Sequence, residues 1–158
     1  MDRQHLMARL EKAWSDFQQS YAGLSDSQMM KSGVTGDWSA QDILAHVTTW
    51  EQQALKHLPT ILEGGRPPRY SLTYGGIDAF NRRMTEQKRG FTLREVRRDL
   101  EEIHQRLIRF VDQVPEAQFR TETPFRRRLR LDTYGHYLKH AAAIRSWRNE
   151  QLNGNKKS

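Results

Sequence analysis

The sequence contains no cysteine among its 158 residues. That excludes disulfides, thiolate zinc sites and a thiol nucleophile together, so any metal must be held by imidazole and carboxylate. No stretch approaches the roughly 20 consecutive apolar residues that a membrane-spanning helix requires. The opening Met1–Leu10 mixes polar and apolar side chains without the hydrophobic core of a secretory leader, so a cytoplasmic protein with no membrane partner is expected. Negative charge is in the minority, 19 Asp and Glu against 26 Lys and Arg, for a net +7. Hydrophobic residues make up only 36% of the chain. That proportion suits amphipathic helices, each with one apolar stripe and a wide solvated face.

What is present is a succession of such stripes. Leu6, Leu10, Trp14, Phe17 and Tyr21 recur at intervals of three and four and predict a helix over about 3–22, ended by Gly23. Ser25-Asp26-Ser27-Gln28 reads as a capping box before a short helical turn, and Gly33 to Asp37 as a loop. Ser39 caps a second helix, with Ile43, Val47, Trp50, Ala54 and Leu58 carrying it towards residue 62 and Pro59 kinking or shortening its end. Gly64-Gly65-Arg66-Pro67-Pro68 opens an extended crossover to Gly76. A third helical region begins near Ile77 with Phe80 and Met84 and breaks around Gly90. The capping box Thr92-Leu93-Arg94-Glu95 starts a long helix closed by Pro115, with Val96, Leu100, Ile103, Leu107, Phe110 and Val111 on one side. Residues 116–131 read as a polar, Arg-rich connection with room for a short strand or irregular segment. A last helix is expected over about 132–151, starting at Asp132 and ending near Gly154. The fold class is therefore all-α: one domain spanning 1–158, a four-helix bundle with one extended crossover, its core at about 3–151 and 152–158 a disordered tail.

Six histidines divide by position. His5, His57 and His104 sit among charged neighbours and read as surface residues. His46 lies on or beside the apolar stripe of the second helix. His136 and His140 are four apart, which puts both imidazoles on one face of the last helix, one turn from each other. Three neutral imidazoles suit a divalent ion (zinc, nickel or iron) and leave coordination positions open. The competing reading is a polar core in which the histidines satisfy one another or nearby Tyr and Asp. Asp42 and Asp132 each precede a histidine of this set by four residues and could orient its ring, although both also stand where a helix start favours an acid.

Trp38-Ser39-Ala40-Gln41-Asp42-Ile43-Leu44-Ala45-His46-Val47-Thr48-Thr49-Trp50-Glu51 resembles the tryptophan-led second helix of the ClbS/DfsB branch of the DinB-like superfamily. Ile77-Asp78-Ala79-Phe80-Asn81 resembles the segment that opens that branch's third helical region. Thr133-Tyr134-Gly135-His136-Tyr137-Leu138-Lys139-His140, with Ile144-Arg145-Ser146-Trp147, resembles its last helix. The resemblance runs from about Leu6 to Trp147. It implies a four-helix bundle, a homodimer, and a divalent metal held at the positions of His46, His136 and His140. It also implies chemistry on a reactive electrophile or its adduct with a low-molecular-weight thiol, in detoxification or resistance.

The candidates for acid–base or substrate-positioning roles are Glu51, Tyr74, Asp78, Asn81 and Tyr137. Each has a plainer reading, such as Glu51 as a helix-surface acid, Tyr137 as core and Tyr74 as a loop aromatic. Trp38 and Trp50 are expected to pack the bundle. Two other function classes stand beside the enzyme. One is a protein that binds or sequesters a small molecule without turning it over. The other is nucleic-acid association through the run Arg126-Arg127-Arg128-Leu129-Arg130, which is not the expected partner because dispersed arginines more often solvate a helix face.

Overall fold

The computed structural model describes residues 2–156, side chains of 155 and 156 excepted. Four long helices carry the architecture: α1 (Arg3–Tyr21), α3 (Ala40–Leu62), α6 (Leu93–Asp112) and α9 (Tyr134–Lys156). Between them lie the single turns α2 (Asp26–Met29), α4 (Tyr70–Thr73) and α7 (Ala117–Arg120), and the shorter helices α5 (Ile77–Lys88) and α8 (Pro124–Asp132). Among the described residues the one β feature is an isolated bridge between Thr35 and Trp38.

The starts of α2, α3 and α6 follow from local chemistry. Ser25, Ser39 and Thr92 each accept from the backbone N–H three residues on, and Gln28, Asp42 and Glu95 return the bond to the cap's own N–H. Asp42 is thus committed to the cap of α3, with Arg89 Nε 3.7 Å away. α3 passes through Pro59 and ends at Leu62, so the proline sits in the last turn, where its missing N–H costs one helical bond. At the end of the crossover Gly75 and Gly76 take φ of 85° and 118°, which lets the chain turn directly into α5.

α1 packs along α9 and α3 along α6, while α3 also meets α5, α8 and α9. Leu6, Leu10 and Phe17 from α1, Ile43, Leu44 and Leu58 from α3, Leu107 and Val111 from α6, and Tyr137 and Ile144 from α9 close one continuous core. Each large side chain fully buried there contributes about 1.5–3 kcal/mol.

Several expectations are corrected. The crossover is not wholly extended, since α4 forms one turn inside it. Residues 116–131 hold two helices rather than a strand or irregular segment. Thr123 accepts from the Arg126 N–H, Pro124 occupies the first turn, and Phe125 and Leu129, four apart, bury one face of α8. Asp132 consequently ends α8 instead of starting the last helix, which begins at Tyr134. α9 runs on through residues 152–156, and 157–158 of the expected tail lie outside the described residues.

Phe17 is fully buried and contacts Trp14, Tyr21 and Tyr137. Phe17→Ala should lower the unfolding free energy by about 3–5 kcal/mol. Arg145 makes a two-pronged contact with Asp16, at 3.0 and 2.8 Å, on the half-exposed α1–α9 seam. Arg145→Ala should cost no more than about 1 kcal/mol. Urea unfolding of both variants tests the ranking, and a larger loss for Arg145 would overturn the view that apolar burial holds this seam.

Candidate functional site

α3 and α9 bring together the three histidines singled out by position. His46 Nε2 lies 3.0 Å from His136 Nε2, and His140 Nε2 lies 2.9 Å from the same atom. One nitrogen from each ring falls within 4.8 Å of the others. His46 and His140 are each 5% exposed, and His136 is partly buried at the edge of the cluster. Trp38 covers His46 from the α2–α3 loop, ring centroids 4.9 Å apart.

Burial pulls all three imidazoles below the ordinary histidine value, His46 to about 3, His136 to about 2 and His140 to about 4, with Lys139 adding to each effect. The rings are therefore neutral, the state in which imidazole ligates a metal. His136 Nε2 faces two other ring nitrogens but can donate at most one proton, so hydrogen bonding among the three is incomplete. A divalent ion would resolve that shortage. Zinc–nitrogen bonds of about 2.0–2.1 Å put the nitrogens of one site about 3–3.5 Å apart, close to the spacing found here. The donor set therefore fits one ion. The two carboxylates expected to orient rings do not do so: Asp42 caps α3, and Asp132 accepts from Arg128 Nε at 2.7 Å. His136 Nδ1 is buried without a partner among the described residues.

His46 and His136 open onto a cavity of about 400 Å³. Its apolar walls are Trp50, Tyr70, Ile77 and Leu131; Asn81, Arg128, Asp132 and Lys139 supply polar groups. Trp50, expected only to pack the bundle, both packs on Phe80 and lines this cavity, and its Nε1 donates to Asn81 Oδ1 at 2.8 Å. A larger surface groove of about 850 Å³ runs along α1, α8 and α9, but no imidazole faces it.

Of the five acid–base candidates, Asn81 alone lines the cavity. Asp78 faces a neighbouring groove with Asp37 and Arg89, and Tyr74 packs on Tyr70 and Phe80. Glu51 and Tyr137 lie together in the closed interior, each 0% exposed. Tyr137 Oη donates to Glu51 Oε1 at 2.5 Å, His104 Nδ1 meets the same oxygen at 2.9 Å, and Glu51 Oε2 has no partner among the described residues. Burial pushes the Glu51 carboxyl above the usual carboxylate range, against the pull of His104.

His104 is accordingly no surface residue. It is 7% exposed, with the Trp14 ring stacked on it at 3.6 Å. His57, 8% exposed, is also buried and meets Gln53 Oε1 at 3.2 Å. Both signals were in the sequence: His104 falls between Leu100 and Leu107 on the α6 stripe, and His57 stands three after Ala54. Charged residues beside them obscured the period. His5 is exposed as expected, against Asp2. Lys88 was also missed: it reaches the Ala45 carbonyl at 3.3 Å beside His46, and burial lowers its amine to about 8. The arginine run does not form one basic stripe, since Arg128 turns to Asp132 and Tyr70, Arg126 to the Phe119 carbonyl and Arg130 to Glu122.

The depressed histidines give a pH prediction. Each adds stability that is present above about pH 6.5 and lost as pH falls towards its folded value, up to about 1.4 kcal/mol per pH unit per ring. Glu51 and Asp132 act oppositely: burial raises both carboxyls, Asp132 to about 6, and the stability they add at low pH is lost as pH rises through their folded values. Three rings outweigh two acids, so metal-free protein should be less stable at about pH 5 than at about pH 7.5. His140→Asn should shrink the difference. Urea melts showing no loss at the lower pH would contradict neutral buried rings.

The fold is shared with several solved structures. The "Sibling Lethal Factor Precursor - DfsB" superposes with a TM-score of 0.78 at 16% identity, covering 96% of this chain and 97% of that one. The colibactin self-resistance protein ClbS, solved in complex with a dsDNA, gives 0.75 at 10% identity, covering 92% and 94%. A protein from Streptococcus pneumoniae gives 0.77 at 16% identity, covering 94% and 91%. At these identities the likeness is one of fold. No curated protein matches the sequence. The sequence model of the DinB superfamily matches residues 9–143, most of the chain and all three clustered histidines, and the protein belongs to that superfamily.

Proposed function

We propose that this protein is a metal-dependent enzyme of the ClbS/DfsB type, acting on a small reactive electrophile or its adduct with a low-molecular-weight thiol. The observation that carries the reading is the convergence of three buried, neutral imidazoles from two helices at the edge of a cavity of small-molecule size. His46, His136 and His140 would hold one divalent ion (zinc, nickel or iron), which supplies Lewis acidity towards a nucleophile or a polarised substrate atom. The chain's own residues do the rest. Trp50 and Tyr70 offer aromatic faces that exclude water from one side of the substrate. Asn81 is held by the Trp50 N–H, which leaves its amide NH₂ as the end able to donate. Arg128 is fixed by Asp132 and by the Tyr70 hydroxyl, at 2.7 and 2.9 Å. Glu51 and Tyr137 keep α3 and α9 joined beside the histidines and touch no substrate.

A binding or sequestering protein would use the same cavity without turnover. The dsDNA seen with ClbS, together with the net charge of +7, motivates a second reading in which a basic surface meets phosphates. The partners that Arg126, Arg128 and Arg130 find within the chain argue against the arginine run as that surface.

Metal content separates these readings first. Protein purified without an affinity tag or chelator should carry about one divalent ion per chain, in line with a single three-histidine site, and His140→Ala should lose it. Wild type that stays empty after zinc, nickel and iron are supplied would remove the metal-dependent reading and leave metal-free binding.

A further inference from the structure

We infer that the cavity beside the histidines selects a carboxylate-bearing small molecule with an apolar, ring-sized body, and that Arg128 and Lys139 read its charge. The inference rests on the small-molecule reading above, but not on a metal being bound.

The first argument is the balance of donors and acceptors. Among the described residues Asp132 is the only carboxylate lining the cavity, and its Oδ2 is already engaged by Arg128 Nε. Asn81 turns its carbonyl oxygen to the Trp50 N–H, which can only donate, so the free end of that amide is its NH₂. Arg128 uses Nε on Asp132 and Nη2 on the Tyr70 hydroxyl, and its Nη1 has no acceptor among the described residues. Lys139, also in the lining, makes no ion pair among them. Two cations, Arg128 and Lys139, against the one anion Asp132 leave the cavity with an excess positive charge. The Asn81 NH₂, Arg128 Nη1 and Lys139 Nζ all donate. A ligand that supplies acceptors and one negative charge completes the set, whereas a cation would meet the net positive charge that remains once Asp132 has paired with Arg128.

The second argument is shape. Trp50 and Tyr70 present ring faces with centroids 5.4 Å apart, and Tyr70 also lies beneath the Arg128 guanidinium at 5.8 Å. Ile77 and Leu131, both exposed, add apolar surface to the lining. About 400 Å³ accommodates one or two fused rings with a short side arm. A planar guanidinium with a free edge matches a carboxylate better than it matches a neutral amide.

The test uses indole-3-acetate and its uncharged counterpart indole-3-acetamide, titrated into chelator-treated full-length protein. The Trp50 indole N–H is followed by NMR. The acid should bind roughly tenfold more tightly than the amide, the difference that one charge-assisted contact makes, and should shift the Trp50 signal. Lys139→Gln, an exposed substitution that leaves the fold alone, should erase several-fold of that preference. Arg128→Met alone would strand Asp132, so it is paired with Asp132→Asn, and the double variant should keep only the part of the preference that Lys139 supplies. The inference is overturned by equal binding of the two probes to wild type, or by no binding of either at millimolar concentration. It is equally overturned by a preference that both variants retain undiminished. A preference for the acid that appears only after metal loading and vanishes in His140→Ala would refute the role of Arg128 and Lys139 while upholding the metal site. The opposite pattern, preference in protein that takes up no metal, would sink the metal reading and leave this one standing.

Discussion

Glu51 is a carboxyl group with no access to water at the junction of three helices. Removing such a group from solvent is costly unless other polar atoms meet it. Here Tyr137 from α9 and His104 from α6 both bond to the oxygen that Glu51 presents from α3. Trp14 from α1 then lies flat on the His104 ring. All four long helices are thereby referred to one small cluster in the apolar core. Apolar packing alone tolerates sliding and repacking of neighbouring helices, but short hydrogen bonds to a buried carboxyl do not. The α3–α9 spacing inherits that restriction.

That spacing is what the histidines require. His46 stands five residues before Glu51 on α3, and His136 immediately precedes Tyr137 on α9. The Glu51–Tyr137 bond and the His46–His136 contact are thus two links between the same pair of helices, one sealed in the interior and one open to a cavity. The division explains why residues close in sequence have such different surroundings. Tyr137 points into the core and serves the bundle, whereas His136, one residue earlier and about 100° around the helix, faces the cavity edge. Burial acts on both sides of this boundary: it keeps the imidazoles neutral and raises the carboxyls of Glu51 and Asp132.

The cavity also changes the meaning of the arginine-rich segment. As a string of charges, Arg126 to Arg130 suggests a surface for phosphates. Folded as α8, the segment buries Phe125 and Leu129, brings Arg128 into the cavity wall and leaves Arg130 with Glu122. Helical geometry disperses consecutive charges by about 100° per residue, so a run in sequence need not be a patch in space.

Much of the architecture was legible without coordinates, because helix starts and apolar stripes are local properties. Ser39 with Asp42 and Thr92 with Glu95 announce α3 and α6 through bonds spanning three residues, and Leu6 to Tyr21 repeat with the helical period. The His136–His140 pair is local in the same sense, one turn on one helix, and His46 declared itself by standing in an apolar stripe. His104 and the helix α8 were equally local, yet charged neighbours masked both. What no local pattern contains is which side chains meet across helices. The bonds of Glu51 to Tyr137 and His104 span 86 and 53 residues, and those of Asp132 and Tyr70 to Arg128 turn a supposed ring-orienting acid into an anchor for the cavity wall. Periodicity and capping act over one or two turns of chain and therefore decide helices. Partner choice among buried polar groups depends on packing the whole bundle, and only the tertiary structure decides it.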